Sequence, residues 1–311
     1  MSRPYLFPAG LFLAPFFLAT ASAALAQPSA EAPGNAGDCR VRISAVPTTW
    51  VIPGYDPFGS GIPEATFSAT FINDGSDACR FSSTFQLDQP PFGLSKGKGR
   101  RIRYDLLNLT DMQDVTPRGG RTQRRVSRAE VALAPNEVRT VLYKLVADPD
   151  DITDVGTFTQ DITLEAEDET FRILGGTRLV LGITVLPSAR IGLSGAFTMS
   201  DGHAVVDLGE LRQGPAPVPL QLRVNSVGSY EIGITSANSG RLRLGSSDWL
   251  VPYSMAIGGE TVNLAAISTI AGPTGNGLKR DSLPIQFVIG DVSNRRAGVY
   301  SDVISISVTA R

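Results

Sequence analysis

Few residues in this chain of 311 are equipped for bond-making chemistry. Its one histidine, His203, stands in Ser-Asp-Gly-His-Ala, a turn-like context with no cysteine or serine motif to partner it. No G-x-S-x-G occurs, and GPTGNGLK (272–279) lacks Walker A spacing and reads as a loop. Asp148, Asp150, Asp151 and Asp154 in DPDDITD gather carboxylates as a calcium loop would. The glycine and glutamate spacing of such a loop does not follow, and a solvated acidic turn is the plainer reading. The inventory excludes most metal sites and His-dependent nucleophiles, so no catalytic residue, metal or cofactor is expected.

Binding chemistry is better represented. Residues 96–128 hold ten Lys and Arg side chains against three Asp, in a chain whose formal net charge is only -2. Arg100, Arg101, Arg118, Arg121, Arg124, Arg125 and Arg128 are candidates for holding an anionic polysaccharide or another charged surface. The competing reading pairs them with residues 148–169, which carry nine acids and no base. Trp50, Tyr55 and Phe58 in WVIPGYDPFG offer aromatics among turn residues, as an apolar contact surface or as packing beneath a sheet. The charge balance and the export signal described next argue against nucleic acid as a partner.

The elements that position these residues follow from composition. Hydrophobic residues make up 42% of the chain, enough for a core, while 32 glycines and 21 prolines punctuate it as in a turn-rich β protein. Residues 1–26 read as a secretory signal peptide: Arg3, an apolar stretch from Leu6 to Ala19, and small residues closing at Ala26. Residues 27–38, QPSAEAPGNAGD, form a polar flexible leader. Export places Cys39 and Cys79, 40 positions apart, in an oxidising compartment, where a disulfide is the simplest pairing.

From Cys39 onward, runs such as ATFSATFIN (65–73), VRTVLYKLVA (138–147), TRLVLGITVL (177–186) and VYSDVISISVT (299–309) alternate with period two and read as half-buried strands. RIRYDLLNLTDM (102–113) reads equally as a short helix or as a strand and loop. Two pieces recur in order. ATFSATFINDGSDACRF (65–81) matches PVPLQLRVNSVGSYEI (217–232), with Asn73 opposite Asn225. VGTFTQDITLEA (155–166) matches AGVYSDVISISV (297–308), with Gly156 opposite Gly298. We therefore expect an all-β protein of two immunoglobulin-like antiparallel β-sandwich domains, 39–187 and 188–311. TRLVLGITVL closes the first unit, whereas the second reaches Arg311 directly after its equivalent strand and is expected to lack its last strand. That would leave an edge at Tyr300, Val303, Ile304, Ile306 and Val308 for strand exchange. Alternatively, ARIGLSGAFTM (189–199) supplies the strand internally.

The ending AGVYSDVISISVTA, with Gly298, Tyr300 and Asp302, resembles the closing strand of the spore coat protein U-like domain family of archaic chaperone–usher pili. SVGSYEIGITSANSGRL (226–242), LVPYSMAIGG (250–259) and GYDPF (54–58) resemble further elements of that family, and Cys39 and Cys79 sit where it has cysteines; the second unit has none. The resemblance covers most of the second unit and scattered parts of the first. It implies an exported subunit assembled by donor-strand complementation, in transit through the periplasm and then on the cell surface. Its partners would be a periplasmic chaperone, an outer-membrane usher, a neighbouring pilus subunit, and an unknown surface or glycan receptor. The leader has no alternating donor pattern, so the two-domain chain looks like the tip adhesin, with a binding domain followed by a pilin domain. The alternative is a periplasmic pilus-assembly chaperone, which also has two immunoglobulin-like domains and would donate a long strand such as TRLVLGITVL.

Overall fold

The computed structural model describes residues 38–123 and 130–311. The segments expected to be a signal peptide, 1–26, and a leader, as far as Gly37, lie outside the described residues, as do Arg124, Arg125 and Arg128. The described chain is built of β-strands, with one 3-10 turn at Pro149–Asp151. The alternating runs form strands because every second side chain can be buried while its neighbours stay in water.

The first sandwich contains β1 (Val41–Ser44), β2 (Thr49–Tyr55), β3 (Glu64–Asn73), β4 (Cys79–Leu87) and β5 (Tyr104–Asn108). It continues with β6 (Gln113–Asp114), β7 (Val131–Leu133), β8 (Val138–Ala147), β9 (Gly156–Glu167) and β10 (Ile173–Val185). One sheet has the order β1-β3-β8-β5-β6 and the other β2-β10-β9-β4-β7. All pairings are antiparallel except β2 with β10, which is parallel. The segment left open as helix or strand becomes β5, with Tyr104, Leu106 and Asn108 buried at alternate positions. Trp50 centres the core, stacked on Phe67 at 5.5 Å and on Tyr143 at 5.6 Å, with Phe85 edge-on at 6.3 Å.

The second sandwich contains β11 (Ser188–Gly195), β12 (Thr198–Ser200), β13 (His203–Val205), β14 (Gly214–Pro215), β15 (Leu220–Val227) and β16 (Tyr230–Ser236). There follow β17 (Arg241–Leu244), β18 (Leu250–Ile257), β19 (Glu260–Val262), β20 (Ser268–Ala271), β21 (Leu278–Ile289), β22 (Tyr300–Ser301) and β23 (Ile304–Ala310). Its larger sheet runs β11-β15-β21-β18-β17-β22, with β14 on β21 and β19 on β18; the smaller is β20-β16-β23. A separate core of Leu222, Val224, Ile232, Ile234, Met255, Ile257 and Ile285 lies between them. The β12–β13 hairpin pairs only with itself.

The internal repeat is visible in the pairing. β3 to β4, like β15 to β16, crosses from one sheet to the other. β9 lies beside β4 with Leu164 opposite Phe85, and β23 lies beside β16 with Ile306 opposite Ile234. The two asparagines differ. Asn73 is buried, donating its amide to the Asp77, Leu133 and Ala134 carbonyls and accepting from the Gly75 amide. Asn225 sits within β15 and is exposed, because the turn there comes later.

Cys39 and Cys79 form a disulfide with Cα atoms 5.3 Å apart. It ties the residue ahead of β1 in one sheet to the first residue of β4 in the other, closing a 40-residue loop. Such a closure stabilises a fold by about 3–4 kcal/mol in the chain-entropy model. Replacing both cysteines with serine is expected to lower the denaturation midpoint of the first sandwich by a corresponding amount and leave the second unchanged. Tryptophan fluorescence from buried Trp50 distinguishes the two, once Trp249 is replaced by Phe.

Candidate functional site

In the first sandwich β9 is paired on both sides, by β4 and β10, whereas in the second its counterpart β23 is paired on one side, by β16. In the first, β10 lies between β9 and β2 and sets Leu179, Leu181, Ile183 and Val185 into the core, each at most 1% exposed. β9 beneath it buries Ile162, Leu164 and Ala166 completely. In the second, β23 pairs with β16 from Tyr230 opposite Ala310 to Ser236 opposite Ile304. Among the described residues no strand pairs with its other edge. Ile304, Ile306 and Val308, which face the core, are consequently only half-buried.

β11, the segment that offered an internal solution, is hydrogen-bonded to β15 over its whole length and belongs to the opposite sheet. It approaches β23 across the open side within 8 Å between Cα atoms without forming a ladder with it. The open side is therefore a slot, walled by β23 and β11 and floored by half-covered aliphatic side chains. Covering the remaining surface of Ile304, Ile306 and Val308 would contribute about 1 kcal/mol each, besides satisfying the free amides and carbonyls of the edge.

The residues expected to share this edge separate. Tyr300 is in β22, paired with Leu244 on the larger sheet, and its hydroxyl donates to the Arg296 carbonyl at 2.8 Å. Val303 is at the crossover and 60% exposed. Only Ile304, Ile306 and Val308 line the slot, because the chain changes sheets at Asp302. The Asp302 carboxylate makes that crossover possible. It accepts from the Tyr253 hydroxyl at 2.7 Å, the Ser236 hydroxyl at 2.6 Å and the backbone amides of Asn238 and Val303. Burial, together with the hydrogen bond to Asp302, keeps the Tyr253 hydroxyl protonated by raising its pKa. The Gly-x-Tyr-x-Asp signature is thus a sheet-switching device, which its residue types alone did not reveal.

The basic surface residues of the first sandwich are largely neutralised. Arg100 and Arg103 both bind Asp151, at 2.6 and 2.7 Å, and Arg103 also reaches Asp148 at 2.7 Å. Arg118 bridges Asp105 and Asp114. Arg121 joins Glu165 at 2.5 Å and Glu167 at 2.6 Å. Arg101 donates to the Gly93 carbonyl at 2.8 Å. Lys96 pairs with Asp154 at 2.7 Å. Of the three aromatics, Trp50 drops out as a surface candidate and takes the packing reading: it is wholly buried, and its indole N–H donates to the Pro47 carbonyl at 3.1 Å. Tyr55 and Phe58 remain partly exposed near the end of β2. His203 is an exposed residue of β13 beside the Asp201 carbonyl.

Asp151 is 4% exposed. Burial pushes its carboxyl up, but hydrogen bonds from the Arg103 side chain and amide and from Arg100 outweigh this and hold it down, at about 2. A depressed folded-state pKa contributes stability that is fully present above the ordinary value of 3.8 and is lost as pH falls toward 2. Asp151→Asn should flatten the pH dependence of the first sandwich's stability over that range, as read from denaturant midpoints at stepped pH. Asp302→Ala, in turn, should destabilise the second sandwich by about 2–3 kcal/mol, because it leaves Tyr253 and Ser236 without their acceptor. Asp302→Asn should recover part of that loss.

No family model matches the chain, and no curated protein matches it. Several solved structures are similar in chain course. One is a chain of the CsuC-CsuE chaperone-tip adhesion subunit pre-assembly complex from the archaic chaperone-usher Csu pili of Acinetobacter baumannii. It is 11% identical over 86% of this chain and 99% of that chain, with a TM-score of 0.43. Another is the CupB6 tip adhesin from Pseudomonas aeruginosa, 11% identical over 88% of this chain and 95% of that chain, with a TM-score of 0.34. A third is CfaE, the adhesive subunit of CFA/I fimbria of enterotoxigenic Escherichia coli, 12% identical over 84% and 92% of the two chains, with a TM-score of 0.31.

Proposed function

We infer that this chain is an exported subunit of a chaperone–usher pilus, acting as its tip adhesin. In this reading the second sandwich is the pilin domain, completed first by a periplasmic chaperone and then by a strand from the neighbouring subunit at the usher. The first sandwich is the binding domain carried to the cell surface. The observation that carries the reading is the unpaired edge of β23 above half-buried Ile304, Ile306 and Val308, at the place where the first sandwich holds β10. An exposed ladder edge over an apolar floor is the arrangement that β-augmentation fills.

The first sandwich supports the role of a self-sufficient head, since its own β10 closes it and a disulfide staples it. The chaperone alternative requires a strand free to be given away. β10, the strand suited to that use, is bonded to β9 on one side and β2 on the other. Receptor contact on an anionic surface or glycan would fall to Tyr55, Phe58 and the cationic groups left after internal pairing, together with Arg124, Arg125 and Arg128.

Amide hydrogen exchange on the mature chain, alone and in complex with the pilus chaperone co-expressed with it, tests the assignment. Residues 304–310 should gain protection on the free-edge amides in the complex. A stable monomer with those amides already protected, or no complex at all, would sink the reading.

A further inference from the structure

The first sandwich contains a filled copy of the slot that the second leaves open, so the shape of the missing strand can be read within the chain. Carrying the pairing of β9 over to β23 places Ile304 at the position of Ile162, Ile306 at that of Leu164 and Val308 at that of Ala166. On β10 the residues facing Ile162, Leu164 and Ala166 are Leu179, Thr177 and Gly175, a series that shrinks toward the β9–β10 turn. The shrinkage has a steric cause. β1 crosses β10 at its narrow end, and a Cβ on Gly175 would overlap the carbonyl oxygen of Val41. That carbonyl is backbone and cannot swing aside, so only glycine fits.

The second sandwich has a strand in the place of β1, since β11 pairs with β15 as β1 pairs with β3. β11 approaches β23 directly, and valine at 308 projects two methyl groups more than Ala166 into the same space. At the other end Ile304 is identical to its counterpart, so the room for a large facing residue is kept.

We propose that the slot beside β23 is graded, and that it accepts an antiparallel strand with glycine facing Val308, a small residue facing Ile306 and a large aliphatic residue facing Ile304. The partner is thereby specified as a strand whose apolar residues grow in size along its length; a uniform run of leucine or valine would be rejected at the narrow end. This rests on the reading of the second sandwich as strand-deficient and adds to it the order of side-chain sizes.

The test appends a second copy of residues 168–185, which contain the turn and β10, after Arg311 of the mature chain. The thermal midpoint of the second sandwich is then compared with that of the unextended chain. The extension should raise it by at least about 5 °C. Gly175→Leu in the appended copy alone should abolish most of that gain, and Val308→Ala in the body of the chain should restore part of it. Leu179→Gly in the appended copy should also lose the gain, since the wide end is then left unfilled. If the Gly175→Leu extension stabilises as well as the unaltered one, the grading is wrong while the strand-deficient reading stands. If no extension stabilises the second sandwich, both are overturned.

Discussion

Among the described residues the outer edge of β23 carries no neighbouring strand, and the apolar side chains of Ile304, Ile306 and Val308 beside it stay half-buried. That single constraint orders the rest of the molecule. The second sandwich has a core of its own through β15, β16, β18 and β21, with no strand beside the outer edge of β23 needed to specify its topology. Half-covered apolar side chains alternate along the seven residues of β23, Ile304 to Ala310. An edge of that kind is a template on which a further strand can pair.

The sheet switch at Asp302 creates this geometry. Had the strand containing Tyr300 stayed in one sheet, as β9 does over Gly156–Glu167 in the first sandwich, the unpaired edge would run longer. Instead β22 joins β17 in the opposite sheet, and a carboxylate with four donors holds the corner. Gly298, whose added Cβ would meet Leu244, lets the chain approach β17 closely enough to make the turn. The signature Gly-x-Tyr-x-Asp therefore decides where the unpaired edge of β23 begins.

The first sandwich solves its electrostatics internally. Its positively charged segment and its acidic segment are far apart in sequence and meet in space, so Asp151 can be buried because Arg100 and Arg103 both reach it. Charges committed in this way fix loops onto the sandwich and contribute little to any long-range field. Fewer cationic side chains of this segment than the sequence offers are left outside ion pairs among the described residues, while Tyr55 and Phe58 stay partly exposed.

Alternation in strands such as GTFTQDITLEA and the spacing of turn residues were enough to read an all-β sandwich fold, because a period of two is a local property of the chain. The repeat between residues 155–166 and 297–308 was readable for the same reason, and the pairing of Cys39 with Cys79 followed from the expectation of export. Side-chain type did not separate surface Trp50 from core Trp50, since either place suits an aromatic among turns; stacking on Phe67 and Tyr143 decided it. Nor did it reveal which arginines were spoken for, because ion pairing depends on contacts some fifty residues apart. By itself the sequence determined the strands, their inward and outward faces, and the disulfide. Only the tertiary structure decided which sheet each strand joins, and hence that β11 goes to β15 and leaves β23 open, because hydrogen-bond partners along a sheet edge are chosen by the geometry of the whole sandwich.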